Sequence, residues 1–313
     1  MSANTNAKLS VVIPVYRSEA CLPTLATRLV ATLSSLNRQF EIIFVDDCSP
    51  DASWSVLKAI KAQHGPRIKI IRLLRNSGQH NAILCGFSYA TGDIVITMDD
   101  DLQNLPEDIP RLVEAVEAGY DVSIAAYDQK QHSMARNLGG TLIDAIQRAM
   151  FGLDKDFQLT SFRAIRRSVV DQVARMGGAY PYITSMLLAN SSRVINVNVR
   201  HQSRQFGVSN YTLGRSIRLA MNLLFNYSSY PLYFVAGLCA LAFLVSVSIG
   251  VWAAIRVWIF GSAVPGWASV LVTIGFSTGV IELTLLIFGI YLSRLQREVR
   301  HNRVGHKIDE VHV

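Results

Sequence analysis

Between Leu9 and Met98 the chain switches repeatedly between short apolar runs and stretches with helical spacing, and this alternation constrains the fold more than any other feature. The runs 9–15, 40–45, 68–73 and 94–98 are rich in β-branched residues and have the length of buried strands. The stretches 22–36, 54–62 and 79–90 carry apolar residues at helical spacing. Strands separated by helices pair in parallel, because a helix-length crossover returns the chain to the same end of the sheet. The expected fold class is therefore α/β, with a mainly parallel sheet covered on both faces. In such a sheet ligands bind beyond the carboxyl ends of the strands.

Those ends are acidic. Asp46-Asp47 closes the second run, and Asp99-Asp100-Asp101 closes the fourth. Carboxylates bunched in this way repel one another unless a cation sits among them. If the chain stays extended, Asp99 and Asp101 face the same side, because strand side chains alternate. With Gln103 they form an all-oxygen set suited to Mg2+ or Mn2+, which usually share their shell with a substrate diphosphate. The competing account is an acidic turn capping a helix that starts near Pro106. After the first run come Pro14, Val15 and Tyr16, with Glu19 beyond, and the Tyr16 ring could pack on a nucleoside. Asp46 and Asp47 can accept hydrogen bonds from a base N–H or from ribose hydroxyls. Ser49 and Asp51 have the spacing of an Asx turn that caps the next helix. Asn76-Ser77-Gly78 follows the third run, with a glycine that lets backbone approach a ligand. Neither G-x-G-x-x-G nor G-x-x-x-x-G-K-[ST] occurs, which excludes the common dinucleotide and P-loop fingerprints.

Half of the 313 residues are hydrophobic, and the excess is local. Residues 232–255 carry no charge, and 268–292 are interrupted only by Glu282. Each run is long enough to cross a bilayer; a buried helical hairpin in a soluble core is the competing account. Arg204, Arg215 and Arg218 precede the first run, and Arg294, Arg297, Arg300, Arg303 and Lys307 follow the second. The connecting loop has only Arg256, so the positive-inside rule puts both flanks in the cytoplasm. Residues 1–8 are polar and lack the apolar core of a secretory leader. Cys21, Cys48, Cys85 and Cys239 show no metal or redox spacing, as expected in a reducing compartment. The net charge of +7 fits contact with anionic lipid better than with nucleic acid, since basic and aromatic residues are not interleaved. The expected organisation is a cytoplasmic domain over 1–210 and an interfacial amphipathic helix over 211–229. A two-helix membrane hairpin over 230–293 and a basic cytoplasmic tail over 294–313 follow. Glu282 would pair within the hairpin or across a homo-oligomer, because an ionisable group in a span is costly.

Four segments, 14–16, 45–51, 75–86 and 90–103, occur in an order and spacing that resemble the family 2 glycosyltransferases of the GT-A type. Asp156-Phe157, the segment 161–167 (SFRAIRR) and the segment 204–211 (RQFGVSNY) narrow the resemblance to polyisoprenyl-phosphate glycosyltransferases. The chain is similar to bacterial undecaprenyl-phosphate sugar transferases and, in its soluble part, to dolichol-phosphate mannose synthase. The resemblance runs over about 10–300. It implies a GT-A nucleotide-diphospho-sugar transferase domain followed by an interfacial helix and two transmembrane helices, in a bacterial inner membrane. The implied reaction is metal-dependent inverting transfer of a sugar to undecaprenyl phosphate or a similar polyisoprenyl phosphate, for envelope polysaccharide or lipopolysaccharide modification. The bacterial resemblance favours a UDP-sugar donor. Pro14, Tyr16, Glu19, Asp46, Asp47, Asn76, Gly78 and Asp100 are the candidates for holding the donor. Asp99, Asp101 and Gln103 would hold the metal. A phosphate acceptor with a second pKa of about 6 is already largely dianionic near neutral pH, so it needs a basic cradle rather than a general base. Arg136, Arg163 and Arg204, with Lys130 behind them, are the candidates.

Arg17-Ser18 stands where the family often has Asn-Glu, Tyr127 falls near a usual Arg, Gly140 near a usual Ser, and Ile290 replaces a usual Glu. Two other readings compete. A sugar-to-sugar polymerase of the same fold would carry a Q-x-x-R-W segment, which is absent. A catalytically silent membrane scaffold or nucleotide sensor has no need of Asp99, Asp101 and Gln103 as a metal set.

Overall fold

The structure of the chain, a computed structural model, describes residues 7–127, 148, 152–176, 181–200, 266–300 and 306–313, with single positions between 234 and 259. It divides into two compact units, Met1–Ala220 with His301–Val313, and Met221–Arg300.

The first unit is built on β1 (Leu9–Val15), β2 (Phe40–Asp46), β3 (Ile68–Leu73) and β4 (Ile94–Thr97). Between them lie α1 (Leu22–Ser35), α2 (Ser53–His64) and α3 (Gln79–Tyr89). β1 and β3 have the bounds that the apolar runs indicate, and the other elements differ by a few residues at their ends. Every residue of β1 is buried, as expected of a strand with helices on both faces. Pro is near the start of α1, where its missing N–H is one of the helix's unused donors. The helix near Pro106 is α4 (Ile109–Glu117), preceded by a 3-10 turn over Pro106–Asp108.

Four further strands complete the sheet: β5 (Val122–Tyr127), β6 (Arg163–Arg166), β7 (Val194–Val199) and β8 (Ile308–His312). Helices α5 (Arg167–Met176) and α6 (Ile183–Ala189) lie between β6 and β7. The strand order is β7-β5-β6-β4-β1-β2-β3-β8. β4, β1, β2 and β3 run parallel, β6 is antiparallel to both β4 and β5, β7 is parallel to β5, and β8 is antiparallel to β3. The chain builds outward from β1 through β2 and β3, then returns past β1 to form β4. This reversal is a topological switch point, and in such sheets the crevice that takes ligands lies beyond the strand ends there.

Two glycines set how closely the layers approach. A Cβ on Gly86 of α3 would lie 2.3 Å from Val12 Cγ1, and one on Gly92 would lie 2.7 Å from the Ser10 backbone nitrogen. Gly92 also donates its N–H to Ser10 Oγ at 2.8 Å. Ser10 in turn donates to Glu41 Oε1 at 2.6 Å, so these buried polar groups satisfy one another.

One expectation about the chain's end needs correction. Residues 294–313 do not form a simple basic tail, because β8 lies within them and extends the sheet at the β3 edge. A basic composition does not exclude a strand where an open edge offers unpaired backbone groups.

In the second unit, α7 (Trp267–Arg300) contains a stretch, Thr273–Leu292, long and apolar enough to cross a membrane. Ile274, Ile281, Leu285, Leu286 and Phe288 are exposed on it, as is Glu282. Thr284 Oγ1 donates to Val280 O at 2.7 Å and lies 3.1 Å from Cys239 Sγ. The positions described between 234 and 259 are helical. Among the described residues one helix rather than two is long and apolar enough to cross a membrane, because half of 232–255 lies outside them. The expected interfacial helix over 211–229 also lies outside the described residues.

Candidate active site

The strand ends at the switch point carry carboxylates, several of them tied together by hydrogen bonds. Asp46 ends β2 fully buried, with Oδ1 accepting from Ser49 N–H at 3.1 Å. Among the described residues nothing donates to its Oδ2, which lies 3.5 Å from Arg72 Nε. Burial raises the Asp46 pKa, against the bonds from Ser49 and the charge of Arg72. Asp47 accepts from Ser77 N–H at 2.7 Å and Gly78 N–H at 2.8 Å, one on each oxygen, and so fixes the loop after β3. Gly78 sits at φ 90°, and a Cβ there would meet nothing within 4 Å. Backbone conformation, not clearance, calls for glycine here. The next residue, Gln79, donates Nε2–H to Asp99 Oδ1 at 2.6 Å. Asp47 is thus linked through one short loop to Asp99.

Asp99 accepts a second bond, from Ser161 Oγ at 2.5 Å. Ser161 is placed by its own carbonyl, which accepts from Thr97 Oγ1 at 2.7 Å. Asp101 Oδ1 accepts from Gln103 N–H at 3.2 Å, the bond of an Asx turn. Asp100 turns towards β1, accepting from Ser18 Oγ and, at 3.2 Å, from Tyr16 N–H. It therefore clasps the loops after β1 and β4 together. Burial pushes its carboxyl up to about 7, aided by the charges of Asp99 and Asp101 and opposed by the two hydrogen bonds. The Asp99 carboxyl is also raised by burial and by Asp101, against the pull of Ser161, Arg163 and Gln79.

The expected strand-like alternation of Asp99 and Asp101 does not apply. The chain bends after Asp99, and buried Leu102 takes a left-handed φ of 61°. This turn, not the strand period, brings Asp101 near Asp99. Among the described residues no three His, Cys, Asp or Glu side chains gather as a metal group. A carboxylate pair still fits Mg2+ or Mn2+, since such ions often take one or two carboxylates and complete their shell with water and substrate phosphate. For Gln103 the bond described is that of its backbone N–H, not of its side chain.

Other expected residues fall in different roles. Pro14 is buried inside β1, beyond Val12, where pairing with β4 ends, so its missing N–H removes no ladder bond and its ring is core. Glu19 Oε2 accepts from Ala52 N–H at 2.7 Å at the start of α2, which makes it a helix cap rather than a ligand contact. Tyr16 is 41% exposed, with the Arg17 guanidinium 5.3 Å from its ring centroid, and remains available to a ligand. Asn76 is exposed beside Gly78. Arg163 is only 3% exposed. The antiparallel pairing of β6 with β4 sets it opposite Thr97, and it donates to Ser161 O and Thr184 Oγ1, each at 3.3 Å. Burial brings its pKa down to about 10, against the charges of Tyr182, Asp99 and Tyr127. It is a buried cation near Asp99 rather than part of an open cradle. Arg136, Arg204, Lys130 and Gly140 lie outside the described residues.

Sequence reasoning missed Gln79, Ser18 and Ser161 as partners of the acids. The signal for Gln79 was its place as the first residue of α3, directly after the loop glycine. It also missed the setting of Tyr127, whose hydroxyl bonds to Asn104 Oδ1 and whose N–H and C=O are both held by the Gln158 amide at 2.9 Å.

Residues 10–174 match the family described as Glycosyl transferase family 2. The chain is 33% identical over 298 residues to the undecaprenyl-phosphate 4-deoxy-4-formamido-L-arabinose transferase of Klebsiella pneumoniae (strain 342), covering 94% of this chain and 90% of that protein. The protein of the same description from Enterobacter sp. (strain 638) matches to the same extent. Among solved structures, glucosyl-3-phosphoglycerate synthase from Mycobacterium tuberculosis in complex with Mn2+, UDP and glucosyl-3-phosphoglycerate aligns with a TM-score of 0.54. That match has 18% identity and covers 71% of this chain and 79% of that one. Mannosyl-3-phosphoglycerate synthase from Rubrobacter xylanophilus aligns at 0.52 with 15% identity, covering 69% and 72%. The last two likenesses are of fold.

Proposed function

Given that the chain belongs to glycosyl transferase family 2, we propose that it moves a sugar from a nucleotide-diphosphate donor to undecaprenyl phosphate or a similar polyisoprenyl phosphate at the cytoplasmic membrane face. The observation that supports this reading is the hydrogen-bonded path from Asp47 through the 77–79 loop to Asp99. In this reading a nucleoside lies at one end of the path and a diphosphate at the other. The relatives matched over nearly the whole chain supply the acceptor class.

At the nucleoside end, Asp46 Oδ2 is a buried acceptor with no donor, suited to a base N–H, and the exposed Tyr16 ring can cover the base. At the other end Asp99 and Asp101 would hold Mg2+ or Mn2+, which would neutralise the leaving diphosphate. Asp100 keeps the loops after β1 and β4 at a constant separation, so nucleoside and diphosphate ends stay in register. The acceptor phosphate oxygen forms the new bond to the anomeric carbon as the bond to the diphosphate breaks, with inversion expected. The acceptor is already ionised, so no side chain has to remove a proton. Positioning is the main requirement, and Arg136, Arg204 and Lys130 remain the residues proposed to supply it. Arg163 contributes charge from below.

Membrane attachment through α7 is supported by its exposed apolar residues. β8 follows α7 in the chain, yet lies in the same sheet as β1. A chain that starts and ends on one side of a membrane crosses it an even number of times, so a crossing by α7 calls for a second, which 232–255 can provide.

The test is a donor screen on purified, detergent-solubilised protein with undecaprenyl phosphate, Mg2+ or Mn2+, and a panel of UDP- and GDP-sugars, read by mass spectrometry. A lipid-monophosphate sugar that disappears with EDTA and with Asp101→Ala is the expected result. No lipid-linked sugar from any donor would sink the reading, and full activity in Asp101→Ala would sink the assignment of the metal to Asp99 and Asp101.

A further inference from the structure

The last strand reaches the nucleoside end of the crevice through side chains that the reaction above leaves unused. In the β3–β8 ladder Arg72 is opposite Glu310 and Ile70 is opposite His312, and Leu74 N–H donates to Lys307 O at 2.8 Å. Glu310 gathers three partners: Trp54 Nε1 donates to it at 3.1 Å, Lys58 Nζ lies at 3.0 Å, and His312 Nε2 lies at 2.7 Å. Trp54 is 6% exposed, and its indole also meets the His312 ring at 5.9 Å between centroids. The Arg72 guanidinium stands 5.8 Å from the indole centroid, within cation–π range. Arg72 then faces Asp46 Oδ2 at 3.5 Å without closing on it, and among the described residues neither Arg72 Nε nor Asp46 Oδ2 has a hydrogen-bond partner.

An arginine and a carboxylate this close gain a charge-assisted hydrogen bond by moving together. The Trp54 ring stands against the Arg72 guanidinium, and β8 pairs with β3 beside it. We propose that β8 is a positioning element for the donor nucleotide: Glu310 and His312 fix Trp54, Trp54 keeps Arg72 off Asp46, and the buried Asp46 Oδ2 thereby keeps its hydrogen-bonding capacity for a base N–H. This rests on the reading of Asp46 as a nucleotide contact. Loss of the Glu310 carboxylate removes the acceptor for the indole N–H, and a released Arg72 closes on Asp46 and takes the oxygen.

The experiment is calorimetric titration of the full-length protein with UDP and with GDP in the presence of Mn2+, with steady-state kinetics alongside. Glu310→Ala should weaken nucleotide affinity roughly threefold to tenfold, the range of coupling through a packed side-chain chain. It should raise the donor KM alike and leave kcat and the acceptor KM unchanged. Glu310→Gln, which keeps an acceptor for Trp54, should restore most of the affinity, and Asp309→Asn on the same strand should behave as wild type. Unchanged nucleotide affinity in Glu310→Ala would overturn the inference. So would equal losses in kcat, both KM values and thermal stability that Glu310→Gln does not relieve, since these mark a merely structural strand. Wild-type protein that binds neither nucleotide would remove the nucleotide-site reading itself, and the inference with it.

Discussion

Asp99 shows how a few neighbours turn an acidic residue into a candidate ligand. Its two oxygens are held by Gln79 and Ser161, which aim the carboxylate and leave lone pairs for a cation. Such partners of a metal-binding group typically matter 10- to 100-fold, so Gln79→Ala should lower the transfer rate by about that factor. The loss should shrink as Mn2+ is raised, which a rate-versus-metal titration would show; a loss independent of metal would contradict the assignment. Glu41 is the structural counterpart. Burial alone would raise its pKa, but Lys69, Ser10 and Thr91 outweigh that and hold it at about 2. Lys69 Nζ lies 2.9 Å from its Oε2, and Thr91 N–H donates to Oε1 at 2.6 Å. A carboxyl with a folded pKa below its unfolded value of about 4.3 stabilises the fold fully above that pH and loses its contribution as pH falls towards the folded value. Stability measured by denaturant unfolding should therefore decline between about pH 4.5 and about pH 2 in the wild type. In Glu41→Gln the total should be lower at neutral pH by roughly 1–3 kcal/mol, with a shallower acid slope.

At the scale of elements, two glycines let neighbouring elements approach closely around the switch point. Gly86 lets α3 lie against Val12, and Gly92 lets the start of β4 pass the backbone of Ser10. Overpacking such a contact costs roughly 1–3 kcal/mol. Gly92→Ala should be the worse of the two, because it meets backbone, whereas Gly86→Ala meets a valine methyl that can shift. Thermal unfolding of the two variants would rank them, and the reverse order would mean that α3 is the less forgiving element. Gly86, which closes the segment 75–86 of the family resemblance, thus has a packing role. The bounds of β1 and β3 were legible because apolar runs between turn residues report local structure. Strands β5 to β8 were not, since short runs such as 163–166 make sense only beside the strands they pair with.

For the whole molecule, the return of the chain to its own sheet sets the topology prediction. A cysteine placed at Asp309 should react with an impermeant thiol reagent only in inverted membrane vesicles, and one at Ser262, in the loop expected between spans, only in intact spheroplasts. Labelling of both positions from one side would exclude the two-crossing arrangement. The sequence by itself determined the parallel core, the acidic strand ends and the two long apolar runs, because each is written in the period, length or charge of contiguous residues. Only the tertiary structure decided that Glu19 caps a helix, that Arg163 is buried near Asp99, and that Gln79 and Ser161 hold that acid. It also decided that Glu310 reaches Trp54 across a separation of 256 residues. Such contacts depend on which strands lie side by side, and that choice follows from burying the whole sheet at once, which no local pattern encodes.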